Sequence, residues 1–72
     1  MSAVRVEVGQ VWIDLDPRSF GMRKIRIEMV GPRYALCKTL TDYRGRGSGR
    51  LSRINLSRFR PTRSGYRLDE TT

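Results

Sequence analysis

At 72 residues, with a formal net charge of +8, one cysteine and no histidine, the chain has no means to form a disulfide framework, a Cys/His zinc site or a Ser-His-Asp catalytic set. A chain this short buries only about 60% of the surface that its unfolded form exposes, so one small apolar core, or a core completed by a partner, must hold it. No apolar run is long enough for a membrane span or a secretory leader, and the lone thiol agrees with a reducing compartment; the expected setting is cytoplasmic, with no membrane partner.

Val4 to Val8 alternates valine with Arg5 and Glu7, which predicts a half-buried strand interrupted at Gly9-Gln10. Gln10 to Leu15 continues it, with Val11, Ile13 and Leu15 on one face and Trp12 and Asp14 on the other. Trp12 is expected to join or cap the core. Asp16-Pro17-Arg18-Ser19-Phe20-Gly21 reads as a turn, because proline fixes its own φ and pushes the residue before it into extended geometry. Lys24 to Val30 alternates again, with Ile25, Ile27 and Met29 on one face. Gly31-Pro32-Arg33 closes a hairpin onto a third strand, Tyr34 to Thr41, whose inward face the pattern leaves open; Cys37 within it is expected as a small buried apolar group.

A glycine-rich loop with Gly45, Gly47 and Gly49 follows, and it is expected to be flexible. Arg50 to Leu56 predicts a fourth strand, with Ser52, Ile54 and Leu56 on one face, although Leu51, Ile54 and Arg58 also fit a short helix. Ser57 to Arg60 reads as a tight turn of 3₁₀ type before Pro61. Tyr66 to Leu68 is a short closing strand. These elements predict an all-β protein, a small SH3-like five-stranded barrel, with an OB-like barrel as the alternative. Residues 1–68 are expected to form a single small β-barrel domain and 69–72 a polar C-terminal tail that frays.

Charge is unevenly placed. Residues 1–42 carry seven basic and five acidic groups, residues 43–72 eight basic and two acidic, and thirteen of the fifteen basic side chains are arginine. Codon bias accounts in part for arginine over lysine but not for this placement. From Arg44 to Arg67 eight arginines occur with no acidic residue, interleaved with Leu51, Ile54, Leu56, Phe59 and Tyr66. Arginine presents a planar fork of donors that matches phosphates and guanine edges, so a basic half of this kind points to a polyanion, nucleic acid first.

Two resemblances rest on quoted residues. Val8-Gly9-Gln10-Val11-Trp12, Asp16-Pro17-Arg18, Gly21, Arg58-Phe59-Arg60-Pro61-Thr62 and Gly65-Tyr66-Arg67-Leu68 resemble, in the same order, a set of small uncharacterised proteins of actinobacterial bacteriophages and their hosts. That resemblance implies phage origin, hence a host-cell cytoplasm, and no particular activity. Separately, Gly9 to Pro17 resembles the opening of the MazF/PemK toxin ribonucleases, SH3-like barrels in which this strand runs into a loop bearing a catalytic arginine. The resemblance places Arg18 and Arg23 in that loop. It covers under a quarter of the chain, and the family's later catalytic threonine and dimer helix have no clear equivalent.

The candidate nucleic-acid-binding residues are Arg44, Arg46, Arg50, Arg53, Arg58, Arg60 and Arg63, with Tyr43 as a stacking group at the loop's base. Glycines let a backbone approach phosphates and offer its amides to them; the bland alternative is a solvated hairpin tip. The loop lacks the Gly-Lys-Ser/Thr ending of a phosphate-binding loop of the Walker type. Asp14 and Asp16 share a strand face but lack a third ligand, so they are expected as turn acceptors or arginine partners rather than as a metal site. No catalytic residue, metal or cofactor is expected, and the chain reads as a non-enzyme. Duplex DNA is preferred over RNA as the partner because stacking aromatics are few. Two other readings are a phage host-interaction protein that binds an acidic host protein, and a MazF-like metal-independent endoribonuclease. A homodimer is compatible with either a free strand edge or an exposed Trp12.

Overall fold

Trp12, Ile25, Ile27, Ala35, Cys37, Ile54, Phe59 and Tyr66 form one buried cluster, to which every strand of a single antiparallel sheet contributes and to which a connection adds Phe59. The computed structural model describes residues 5–70. Its strands are β1 (Val11–Asp14), β2 (Lys24–Val30), β3 (Tyr34–Thr41), β4 (Leu51–Asn55) and β5 (Tyr66–Leu68), with 3₁₀ turns at Pro17–Ser19 and Leu56–Arg58. The spatial order is β4-β3-β2-β1-β5. The first four strands form a meander, and β5 returns to the free edge of β1, with Trp12 opposite Leu68 and Asp14 opposite Tyr66.

Ile54 on β4 and Tyr66 on β5 belong to the same core although their strands end the sheet on opposite sides. The sheet must therefore curl on itself. Register shifts in the β2–β3 ladder, at Lys24/Ile25 and at Ile27/Met29, are the irregularities that bend a strand pair. The gap between β4 and β5 is covered by the connection through Phe59. Its ring meets Trp12 edge-on at 5.0 Å and stacks on Tyr66 at 5.5 Å, within the range where aromatic pairs add to simple burial. The meander, the return of β5 to β1 and the 3₁₀ turn before the last strand are those expected of a small SH3-like barrel. The OB-like alternative normally carries a helix, and the described residues have no α-helix.

Several local expectations change. Residues 5–8 are not a strand, and Val4 lies outside the described residues. The Gln10 side chain accepts from the Glu7 amide at 2.8 Å and donates to the Arg5 carbonyl at 2.9 Å, which removes groups that a ladder would need. Val6 packs at the edge of the core, while Val8 is exposed. On β1 Trp12 joins the core as expected: Trp12 and Asp14 are buried, and Val11, Ile13 and Leu15 on the other face are only half-buried. An indole buries more area than a valine, and one inward tryptophan sets the parity of the whole strand. Met29, expected inward beside Ile25 and Ile27, is 64% exposed, because the register shift after Ile27 turns it out.

The open choice on β3 resolves to Ala35, Cys37 and Thr39 inward. Cys37 is a free buried cysteine, and burial pushes its thiol up to about 11. On β4, Ser52 and Ile54 turn inward and Leu51 and Arg53 outward, as the alternation predicts. Asp69 does not open a frayed tail. Its amide donates to the Val11 carbonyl at 2.8 Å and its buried carboxylate pairs with Lys24 Nζ at 3.2 Å.

Gly65 is where the β4–β5 connection turns into β5. A Cβ built there would lie 2.2 Å from the Arg60 carbonyl oxygen and 2.7 Å from that of Arg58, both backbone atoms that cannot swing aside. Gly65→Ala is therefore expected to cost about 1–3 kcal/mol, the range for forced overpacking, read as a lower urea midpoint. An unchanged midpoint would show that this connection moves freely.

Candidate nucleic-acid interface

Lys24 at the start of β2 pairs with Thr41 at the end of β3, so the 15–23 loop and the 42–50 loop emerge from the same end of the sheet. The first is built by local chemistry. Asp16 caps the 3₁₀ turn by accepting from the Arg18 amide at 2.9 Å, and Pro17 occupies its first position, where a missing N–H costs nothing. The buried Ser19 hydroxyl donates to the Asp14 and Asp16 carbonyls at 3.0 and 2.9 Å. The Arg18 guanidinium, 2.7 Å from Asp16, and the Arg18 amide hold the Asp16 carboxyl down at about 2.

Arg23 closes this loop and reaches inward. Its Nη1 donates to Asp14 Oδ2 at 3.2 Å and to the Tyr66 hydroxyl at 2.8 Å. Its guanidinium carbon lies 5.8 Å from the centre of the Tyr43 ring and 6.0 Å from that of Tyr66. Burial disfavours the charge on Arg23, but the Tyr66 hydroxyl, Asp14 and Tyr43 outweigh it, and its pKa stays above the ordinary arginine value. Arg58 approaches the same Tyr66 ring at 5.4 Å, with its Nε donating to the Ser64 carbonyl at 3.0 Å.

The 42–50 loop is not the loose hairpin its glycines predict. Asp42 Oδ1 accepts from the amides of Arg44 and Arg46, both at 2.9 Å. The Asp42 carbonyl accepts from Gly45, which takes the positive φ of 77° that the turn requires, and the Asp42 amide donates to the Arg46 carbonyl at 2.7 Å. Further on, the Gly49 amide donates to the Thr39 carbonyl and the Thr39 amide to the Arg50 carbonyl, each at 2.8 Å. The amides expected to face phosphates are thus largely committed inside the loop. Among the described residues only those of Tyr43, Gly47 and Ser48 lack a partner there. What the loop presents is guanidinium groups on a braced backbone.

Between the two loops lies a cleft of about 380 Å³ lined by Arg23, Thr39, Asp42, Tyr43, Ser48, Arg50 and Ser52. The structure brings Tyr43 and Arg50 together here with Arg23. Arg44 and Arg46 stand exposed on the cleft's loop, and Arg58 lies on the Tyr66 ring that also touches Arg23. Arg53 points to the opposite face of β4 from Arg50, because alternate residues of a strand face opposite ways. Arg60 and Arg63 are exposed on the β4–β5 connection, away from the cleft's lining.

None of the arginines from Arg44 to Arg67 enters an ion pair among the described residues. The described pairs join Arg18 to Asp16, Arg23 to Asp14, Lys24 to Asp69 and Arg26 to Glu28. Asp14 and Asp16 act as arginine partners and turn acceptors, and the described residues contain no cluster of three or more groups able to hold a metal. Pattern reading had no hold on Arg23, since its partners Asp14 and Tyr66 are 9 and 43 residues away. Only the resemblance to the toxin ribonucleases pointed at its loop. Phe20, in the stretch whose sequence predicts only a turn, is 85% exposed at the tip of that loop.

No family model matches the chain, and no curated protein or solved structure matches it. The class is defined by the fold and this end of it: an all-β, SH3-like five-stranded sheet carrying an arginine-lined cleft. No helix among the described residues is long and apolar enough to cross a membrane.

Arg23→Met would leave the Asp14 carboxylate, 4% exposed, without its cation, and the expected loss of stability is about 3 kcal/mol; an equal thermal midpoint would contradict the pairing described. A second expectation concerns acid. The Arg46 and Arg44 amides lower the Asp42 pKa, so its clamp is complete above the ordinary carboxylate value of about 3.9 and is lost as pH falls through the lower folded value. Amide shifts of Arg44 and Arg46 should hold steady from neutrality to pH 5 and move together only in stronger acid. Movement near neutrality would contradict it.

Proposed function

We propose that this chain is a small, non-enzymatic nucleic-acid-binding protein that holds the sugar–phosphate backbone, preferentially of duplex DNA, against the arginine-rich end of its barrel. The observation that carries this reading is the disposition of charge. Every ion pair of the described residues uses a basic side chain from residues 18–26, and the arginines of the 44–67 segment are left unneutralised. A folded surface that keeps such a group of guanidiniums solvated is suited to an external polyanion. Bracing by Asp42 supports the same reading, because a loop ordered in advance loses less freedom on binding. The resemblance to phage proteins supports a role in an infected cell's cytoplasm.

Arg50 in the cleft, Arg44 and Arg46 beside it and Arg58 over Tyr66 carry the central contacts, with Arg23 as the fixed floor. Arg53, Arg60 and Arg63 extend the positive surface around the edge. If about four phosphates are neutralised, affinity falls by roughly three to four decades per tenfold rise in salt. Fluorescence anisotropy with single- and double-stranded DNA and RNA at two salt concentrations measures this. Charge reversal by Arg46→Glu with Arg50→Glu should weaken all sequences alike, as backbone contacts do, and flatten the salt slope. An affinity indifferent to salt, or retention of a stoichiometric acidic protein from nuclease-treated lysate with no nucleic-acid binding, would overturn the reading. Labelled RNA incubated without metal should stay intact; cleavage would favour the ribonuclease alternative.

A further inference from the structure

Phe20 is held in a conformation that its residue type disfavours, and its side chain is unburied. Its φ is +50°, in the left-handed region that suits glycine and asparagine, and the residue is 85% exposed. The core's phenylalanine is Phe59, not Phe20. The one bond Phe20 makes, from its amide to the Pro17 carbonyl at 3.3 Å, is a backbone bond that another residue type would make equally. A strained non-glycine residue with no structural return is grounds for a functional hypothesis.

The arm that carries the ring is braced. Ser19 is buried and tied to Asp14 and Asp16, the Met22 amide donates to the Ser19 carbonyl at 2.8 Å, and the Asp14 amide donates to the Arg23 carbonyl at 3.0 Å. The surroundings are apolar at the tip, and the facing loop carries the arginines left unpaired among the described residues. Met22 and Tyr43 are about half exposed, and Met22 Sδ lies 3.7 Å from the position of a Cβ at Gly45, so the two loops touch. Arg44 and Arg46, which have no ion-pair partner among the described residues, stand on the facing loop, whereas Arg18 and Arg23 on the loop of Phe20 are paired with Asp16 and Asp14. Apolar wedges, phenylalanine among them, are inserted at base steps by proteins whose basic side chains hold the adjoining backbone.

We propose that Phe20 is a wedge, set against the face of a nucleobase at a base step of duplex DNA, while the arginines of the facing loop hold the neighbouring phosphates. This rests on the nucleic-acid reading above and adds to it the group that meets the bases. Arginine–phosphate contacts provide the salt-dependent part of binding; the ring provides a part that salt does not screen.

Phe20→Asn tests the division, since asparagine tolerates the left-handed backbone and lacks the ring. The variant should melt at the same temperature as the parent chain or higher. Its affinity for a short duplex should drop roughly 5- to 150-fold, the range for losing one stacked aromatic, with the salt slope unchanged; Phe20→Trp should restore it. A 2-aminopurine placed in the duplex should change its fluorescence on binding of the parent chain and not of Phe20→Asn. If the parent binds with the expected salt slope and Phe20→Asn binds equally well, the wedge is overturned and the phosphate-binding reading stands. If the parent binds no nucleic acid, both fall. A Phe20-dependent signal seen only with a single-stranded probe overturns the duplex wedge and assigns the ring to an unpaired base. Conversion of a dimer to a monomer by Phe20→Asn, with binding unchanged, overturns it in favour of a self-interface.

Discussion

A buried carboxylate governs one end of this barrel. Asp14 faces inward because Trp12, two residues before it, faces inward, and a charge in that position must be paired and hydrogen-bonded to be tolerated. Arg23 provides the pair, and the Asp16 amide donates to the other carboxylate oxygen at 2.9 Å. The same Nη1 of Arg23 also donates to the Tyr66 hydroxyl, which links the start of β2 to β5 through the interior. The 15–23 loop is thereby closed at a fixed length, and a guanidinium becomes the floor of the cleft. Structure and candidate chemistry share this one network.

Charge on the molecule has two assignments. Basic groups near the first loop and along β2 meet the acidic residues and hold the fold together. Those of the 42–50 loop and beyond meet none, and the single acidic residue of that loop, Asp42, binds backbone amides instead of guanidiniums. A carboxylate used in this way orders the loop without cancelling the side-chain charge it carries. The arrangement differs from a glycine-rich loop that wraps a phosphate with its amides, because here the amides serve the turn and the guanidiniums stay unpaired among the described residues.

With so little chain to bury, closure of the sheet depends on three aromatic rings. Trp12, Phe59 and Tyr66 fill the space between β1, β5 and the connection that spans the open side. The close approach at Gly65 lets that connection sit tightly enough for Phe59 to reach its place. Phe20 is the exception among the loop's residues, since its backbone is strained and its ring is not used by the fold.

Much of the architecture was legible from local pattern. Alternation located β2, β3 and β4 within a residue or so, proline and glycine marked the turns, and Tyr66–Leu68 was readable as the closing strand. The clustering of arginine was legible too, because charge placement is a property of composition along the chain. Alternation alone does not say which face is inward, and on β1 the packing of the indole against Phe59 decides it. It also does not report a register shift, which is why Met29 leaves the face it would share with Ile25 and Ile27. The sequence by itself determined an all-β chain with a basic second half. Only the tertiary structure decided that Arg23 joins Asp14 to Tyr66, that Asp42 occupies the loop's amides and that Phe20 stands free, because each depends on contacts between segments that local periodicity does not encode.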